Sequence, residues 1–457
     1  MTTTWITKDK SFYRNIFKLA IPISMQHMVT FLIGFADNVM VGRLGDDAVS
    51  GVYLGGQIQF LLQQLIVGLG SALLILGAQY WGKEDTSSIR RLVGFVLRVG
   101  GIAALLLTAV TLMMPHALLS LFSNEVGALG EGVSYVRILA FSFVFYAITQ
   151  ILIFSMRSVE TTRIGAIASV VTLVVNVVLN DVLIFGKLGI PALGVRGAAI
   201  ATLAARIAEC SIVVGYVFLV DRKLCMKVRD ILASSGKLWR HYLRYGLPVI
   251  AGDLVWAVNL LSQGAIVGHY TADIITAVSV TNTMQSLIYV WLNGLWGGVS
   301  IVIGKTIGAG RRETVKEYAR TCQLMFLCVG LLSGTLVFTC RPLFLMLYRG
   351  ISTSAAQTAK LLMAVLSVTI VGTCYQACCL GSLVKAGGDT SFVFKNDTCF
   401  VFLVVLPSAL IARALGAPIW VVYLCLKCDQ ILKCIVAVIK VNRFRWIREL
   451  AKSESET

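Results

Sequence analysis

Charge is what this sequence is short of. Only 14% of its 457 residues are Asp, Glu, Lys or Arg, 57% are hydrophobic, and the mean hydropathy is +0.82. A soluble globular domain carries about 25% charged residues, so a separate water-soluble domain is excluded. Alternation of apolar and polar residues is missing as well, which excludes a membrane β-barrel. The apolar runs instead recur roughly every 30 to 40 residues from end to end, each long enough for a helix to cross a bilayer. No small-residue cleavage site follows the first run, so its helix is expected to be retained.

Other absences narrow the chemistry. No cysteine precedes Cys210, and most of the twelve fall inside apolar runs, where they read as small packing residues. Cys425 and Cys428 have CxxC spacing, but no second pair or His cluster joins them, so neither a zinc site nor a structural disulfide is expected. No Walker A pattern is present, so energy has to come from an ion gradient and not from ATP. No clustered His, Glu and Ser constellation suggests an enzyme, and no cofactor is expected. The formal net charge of +17 does not imply nucleic acid here. In a membrane protein it reads as cytoplasmic loop charge and attraction to anionic lipid.

What is present is a repeated helical pattern. The hydropathy predicts twelve transmembrane helices, the last centred near residue 429. Basic residues favour the side of the N-terminus: Lys83, Arg90 and Arg91, then Arg222 to Arg244, then Lys305 to Arg320, and Lys440 to Lys452 in the C-terminal tail. The other loops hold few, among them Arg43, Lys187, Arg349 and Arg413. This bias predicts a multi-pass plasma-membrane protein with both termini cytoplasmic. Superposing Pro22 on Pro248 without a gap aligns Val41-Gly42 with Val267-Gly268. It also aligns Asp47 with Asp273, Gln59 with Gln285, Gly68 with Gly294 and Gly82 with Gly308. Six helices per repeat make the halves parallel, an architecture of transporters with the site between the repeats. The expected organisation is a six-helix lobe over 1–220, a cytoplasmic linker over 221–245, and a second six-helix lobe with a basic tail over 246–457. Gly51/Gly55, Gly264/Gly268, Gly294/Gly298 and Gly304/Gly308 are read as close helix contacts.

Acids inside the apolar runs are the candidate site. A carboxylate at membrane depth costs a few kcal/mol and usually faces a partner or a watery cavity. Asp37 is the strongest, because the repeat places Gln263 at its counterpart, so the architecture does not require an acid there. Asn176 and Asn180 are one helical turn apart and share a face, and Thr202 adds a hydroxyl. Together these four are the expected site for Na⁺ or a proton, with no metal beyond a possible Na⁺ at Asp37. In the second half, Asp253 and Asp397 are candidates for cation or substrate. Asp253 has no evident local cation, whereas Asp397 has Lys395 or Lys427 for a partner. Lys427, Asp429 and Lys433 read as an internal ion-pair network. Pro22, Pro248 and Pro407 permit kinks. Trp256, Tyr289, Trp291 and Trp296 read mainly as core or interface belt.

Taken with LAIPISMQ, FADNVMVGRLGDDAVSGV, GAQYWGKED, NVVLNDVLIFGKLG, GVRGAAIAT, LPVIAGDLVWAVN and KAGGDTSFVFKND, the chain resembles the multidrug and toxic compound extrusion (MATE) transporters, bacterial type. The resemblance implies an all-α, V-shaped, two-lobe bundle that exports amphipathic, often cationic, small molecules in exchange for Na⁺ or H⁺. It is expected to work as a monomer. The family's first-helix Asp falls on Asp37, its fifth-helix Asn on Asn176 and its sixth-helix Thr on Thr202. Asn180 departs from the family, which often has Asp there, and leaves Asp37 as the first lobe's only well-placed carboxylate. Asp253 and Asp397 match acidic positions of the second lobe. A flippase of lipid-linked precursors shares the superfamily's shape and is the alternative. It would call for an arginine-lined cavity, for which Arg98, Arg137 and Arg206 are the candidates.

Overall fold

The computed structural model describes residues 6–123, 125–234, 236–348 and 350–451. Arg349 and Lys452, counted above among the loop charges, lie outside them. The first half holds α1 (Lys10–Val41), α2 (Asp46–Gly82), α3 (Thr86–Met113), α4 (Pro115–Ser120), α5 (Val126–Leu139), α6 (Ser142–Ser158), α7 (Arg163–Phe185), α8 (Val195–Gly215) and the short α9 (Val228–Leu232). The second half holds α10 (Leu238–Val267), α11 (Ala272–Gly308), α12 (Arg312–Leu345), α13 (Thr353–Gln376), α14 (Thr390–Cys399), α15 (Leu406–Ala414), α16 (Ile419–Lys427) and α17 (Asp429–Asn442).

Among the described residues, ten helices are long and apolar enough to span a membrane, and α5 with α6 forms an eleventh span bent by 54°. The twelfth predicted helix is present as α16 and α17. It is broken at Cys428 into two short helices and carries the buried Lys427, Asp429 and Lys433, so neither piece is both long and apolar enough to cross a membrane alone. At 1.5 Å per residue, the 37 residues of α2 or α11 extend about 55 Å, well beyond a hydrocarbon core of ~30 Å. Local signals set the ends. The Asp85 carboxylate accepts the Ser88 N–H at 3.0 Å to cap α3. Gly186, in the left-handed region at φ 72°, closes α7. Helices α1 and α10 run unbroken through Pro22 and Pro248. Pro407 instead follows a π-helical turn, Phe400–Val405, that separates α14 from α15.

The residues group into two units whose borders fall inside α1 and α10. One unit runs from Met25 to Leu243, the other from Arg244 onward together with the stretch before Met25. In the second unit, the start of α1 is tied to α11 and α12. A Cβ on Gly298 would stand 2.9 Å from the Ile16 carbonyl, the Thr7 N–H donates to the Thr321 hydroxyl at 2.9 Å, and the Tyr318 hydroxyl donates to Asp9 at 2.6 Å. In the first unit, the linker is bound to the helices it follows. Lys223 Nζ donates to the Val159 carbonyl at 2.7 Å, and Arg98 donates to the Ala233 carbonyl at 3.0 Å. Both are polar side chains satisfying carbonyls at helix ends, which hydropathy alone does not register.

The glycine pairs divide. Gly51 and Gly55 let α5 lie against α2: a Cβ on Gly55 would stand 2.6 Å from the Tyr135 ring. Gly294 and Gly298 do the same for α1 on α11. Gly264 faces open space, so it is not a close helix contact.

Candidate functional site

In the first unit, α7 packs along α8, and α8 packs against α5 and α6. Asn176 and Asn180 project from the same face of α7 and are fully buried. Across from them, on α1, stands the half-buried Asp37. Asn180 Nδ2 donates to Asp37 Oδ1 at 2.5 Å and to Asn176 Oδ1 at 3.2 Å. Asn176 also stands beside the Asp37 carboxylate. Asn180 Oδ1 is buried and receives no hydrogen bond among the described residues. An unsatisfied buried amide oxygen costs roughly 1–3 kcal/mol. Asp37, Asn176 and Asn180 therefore offer a carboxylate and two amide oxygens within a few ångströms, one of them without a donor. Oxygen donors of this kind suit a hard cation, and a carboxylate suits a proton.

Thr202, on α8, is set apart from this trio. It makes no hydrogen bond to Asp37, Asn176 or Asn180 among the described residues; it stands beside the Tyr135 hydroxyl. One turn beyond Thr202 on the same helix is the Arg206 guanidinium. Its Nη1 bonds to Glu209 Oε2 at 2.7 Å, and it lies over the Tyr146 ring at 5.1 Å. Tyr135 and Glu209 are site neighbours that the sequence reading missed. A signal for Glu209 existed, since an acid three residues after Arg206 in an apolar helix forms an i, i+3 pair. Nothing in the sequence connects Tyr135 to the site.

The second unit treats its acids differently. Asp253 is not without a cation: Lys385 Nζ stands 3.1 Å from it. Asp397 pairs with neither Lys395 nor Lys427 but with Lys433, at 2.9 Å. Lys433 also holds Asp429 at 3.0 Å, while both Asp429 oxygens accept from Gln430 Nε2 at 3.0 Å. Lys427 stands outside that pair network, donating to Gln263 Oε1 at 3.2 Å. These pairs join α10 to the segment before α14, and α14 to α17, across sequence distances that periodicity does not span. Asp181, next to Asn180, turns away to an exposed pair with Lys187 at 2.8 Å.

Comparison with known proteins follows the same two halves. The MatE family model matches residues 22–182 and 248–426. A protein described as a probable multidrug resistance protein NorM, from Thermotoga maritima, is 23% identical over 326 residues, covering 71% of this chain and 70% of its own. A NorM of the same description from Halalkalibacterium halodurans is 28% identical over 369 residues and 76% of each chain. A crystal structure of MATE in the bent conformation superposes with a TM-score of 0.85 at 18% identity, covering 96% of this chain and 99% of its own. A transporter of the MOP superfamily from Pyrococcus furiosus also gives 0.85, at 19% identity, over 98% and 100%. Its description states that the reversed polarity of its binding pocket suggests a different function. At these identities the superpositions speak to the fold, a MATE two-lobe helical bundle, and the family match speaks to descent: the chain belongs to the MATE family, whose members are multi-pass membrane transporters.

Proposed function

We propose that the protein is a secondary antiporter of the plasma membrane, exporting amphipathic, cationic small molecules in exchange for Na⁺ or H⁺. The observation that carries this reading is the state of Asp37. It is the carboxylate whose hydrogen-bonding partners are neutral amides, next to an amide oxygen that lacks a donor. Asp253, Asp397 and Asp429 each already face a lysine at 3.1 Å or less. A cation entering the second unit has to displace an ammonium, whereas one entering at Asp37 meets an uncompensated charge. The coupling ion is therefore assigned to Asp37, Asn176 and Asn180, with Thr202 acting through Tyr135.

Antiport follows from differential binding. A ligand moves an equilibrium between two facing states only by its preference for one of them. Ion and drug favouring opposite states drive exchange without ATP. Both termini are placed in the cytoplasm, and the unit of function is the monomer. Two of the three arginines that the flippase alternative would use are already engaged, Arg206 by Glu209 and Arg98 by the Gly94 and Ala233 carbonyls, and the third, Arg137, is exposed.

The test uses purified protein in liposomes and a fluorescent lipophilic cation, under an imposed Na⁺ gradient and then a pH gradient. Transport by wild type that is lost in Asp37→Asn supports the reading, and the effective gradient names the ion. Gradient-driven transport that survives in Asp37→Asn refutes the assignment of the site. No transport under either gradient refutes drug antiport and directs the next assay to labelled lipid.

A further inference from the structure

We propose that a hollow between α12, α13 and α17 binds one anionic phospholipid, its acyl chain lying in the hollow and its phosphate held by Arg341 and Lys360. All of these residues belong to the second unit. Helix α12 packs along α13, and α13 against α17. Glycines make these approaches close. A Cβ on Gly334 would stand 2.5 Å from the Ser367 carbonyl, one on Gly330 2.9 Å from the Val371 carbonyl, and one on Gly372 would meet the Gln430 carbonyl. No large side chain then fills the space over α13. What remains is an open hollow of about 590 Å³, floored by Gly334, Ser367 and Gly372 and walled by Leu331, Phe338 and Ile431. That volume lies within the range of ligand pockets, ~300–1,000 Å³. Leu331, Phe338 and Ile431 are exposed, so in a bilayer hydrocarbon covers them. Length and charge say which lipid. Leu331 lies ten residues before Arg341, ~15 Å along the helix, which is half of a ~30 Å hydrocarbon core. The hollow therefore has the depth of one acyl chain in one leaflet. At its mouth the Arg341 guanidinium rests on the Phe338 ring, 3.8 Å from its centre. The antiparallel register of Gly330 with Val371 and Gly334 with Ser367, continued two turns, brings the exposed Lys360 level with Arg341. Neither cation pairs with a carboxylate among the described residues. Asp273, the acid at this end, accepts from the Ser352 hydroxyl at 2.7 Å. Two uncompensated cations over an apolar hollow of that depth match a phosphate joined to an acyl chain.

The test is native mass spectrometry of the full chain in detergent, titrated with phosphatidylglycerol or with phosphatidylcholine of the same acyl chains. Both lipids carry a phosphate, and choline adds a cation that Arg341 and Lys360 repel. A basic residue beside a lipid phosphate contributes about fivefold in affinity. Wild type is expected to hold one phosphatidylglycerol at least about tenfold more tightly than phosphatidylcholine. Arg341→Gln should raise the half-saturating phosphatidylglycerol concentration about fivefold, and Arg341→Gln/Lys360→Gln about 25-fold. Arg413→Gln removes an equal charge away from the hollow, where the guanidinium lies over the Tyr270 ring at 6.0 Å, and should change nothing. Val368 is exposed and lines the hollow, so Val368→Trp fills it and should abolish tight binding. Leu332 is exposed to the bilayer but does not line the hollow, and Leu332→Trp is the control. Size-exclusion profiles identify any variant that fails to fold, and the charge variants carry the test if Val368→Trp is lost. The proposal is overturned if the two lipids saturate at the same concentration, or if the double charge variant stays within about twofold of wild type. It is also overturned if Val368→Trp binds as tightly as Leu332→Trp, or if the added mass is a second copy of the chain and not a lipid.

Discussion

Replacing Lys433 with methionine probes the claim that the second unit's acids are already occupied. The ammonium is shared by Asp397 at 2.9 Å and Asp429 at 3.0 Å, and the Lys433 and Asp429 side chains are only 6% and 4% exposed. Methionine keeps most of the apolar stem and removes the charge. Asp429 then keeps the Gln430 amide as its hydrogen-bond donor among the described residues, and Asp397 is left facing a second acid. Removing one partner of a buried pair costs about 3–5 kcal/mol, because the remaining charge is uncompensated. For a unit of about 200 residues, each kcal/mol lowers the melting temperature by roughly 2–4 °C, so Lys433→Met is expected to melt about 10 °C lower. The assay is thermal unfolding in detergent with a thiol-reactive dye, which reports exposure of the buried Cys322, Cys374, Cys378 and Cys379. Lys433→Met/Asp429→Asn should recover part of the loss. Lys187→Met, which opens the exposed pair with Asp181, is the control, and an exposed pair contributes less than about 1 kcal/mol. If Lys433→Met melts within about 2 °C of that control, water reaches the cluster and the displacement argument for placing the ion at Asp37 fails.

Three further outcomes are expected. Asn180→Asp puts a second carboxylate against Asp37, so the half-saturating cation concentration in the liposome assay should fall at least about tenfold; an unchanged value places the ion elsewhere. Gly55→Ala forces a methyl group to 2.6 Å from the Tyr135 ring, and overpacking of this kind costs about 1–3 kcal/mol. It should lower the melting temperature and weaken cation dependence together, whereas Gly56→Ala, which meets open space, should do neither. Asp9, outside the membrane spans, is held below the usual carboxylate range by hydrogen bonds from Ser11 and then Tyr318. A lowered value means that the stabilisation is complete above the ordinary carboxylate pKa and disappears as the pH falls through the folded one. The melting difference between wild type and Asp9→Asn should therefore be present at pH 7 and shrink below about pH 4; a difference that persists at low pH shows that the charge is not its source.

The membrane class, the helical fold, the parallel repeat and the acids at membrane depth are all legible in the order of the residues. Those follow from local quantities: apolar run length, the 3.6-residue period that places Asn176 and Asn180 on one face, and the Pro22 to Pro248 register. It also exposed Asp37 as an acid that the repeat does not require. Which acids keep an uncompensated charge depends on packing between helices. Lys385 reaches Asp253 and Lys433 reaches Asp397 because helices distant in sequence pack side by side, and no periodicity predicts which faces meet. The same holds for Tyr135, brought to Thr202 by the close approach of α5 to α2 and α8. It holds too for the linker, which Lys223 and Arg98 tie to the helices before it through the Val159 and Ala233 carbonyls. A carboxylate's role depends on the charge within a few ångströms of it, and in a bundle most of that charge arrives from other helices.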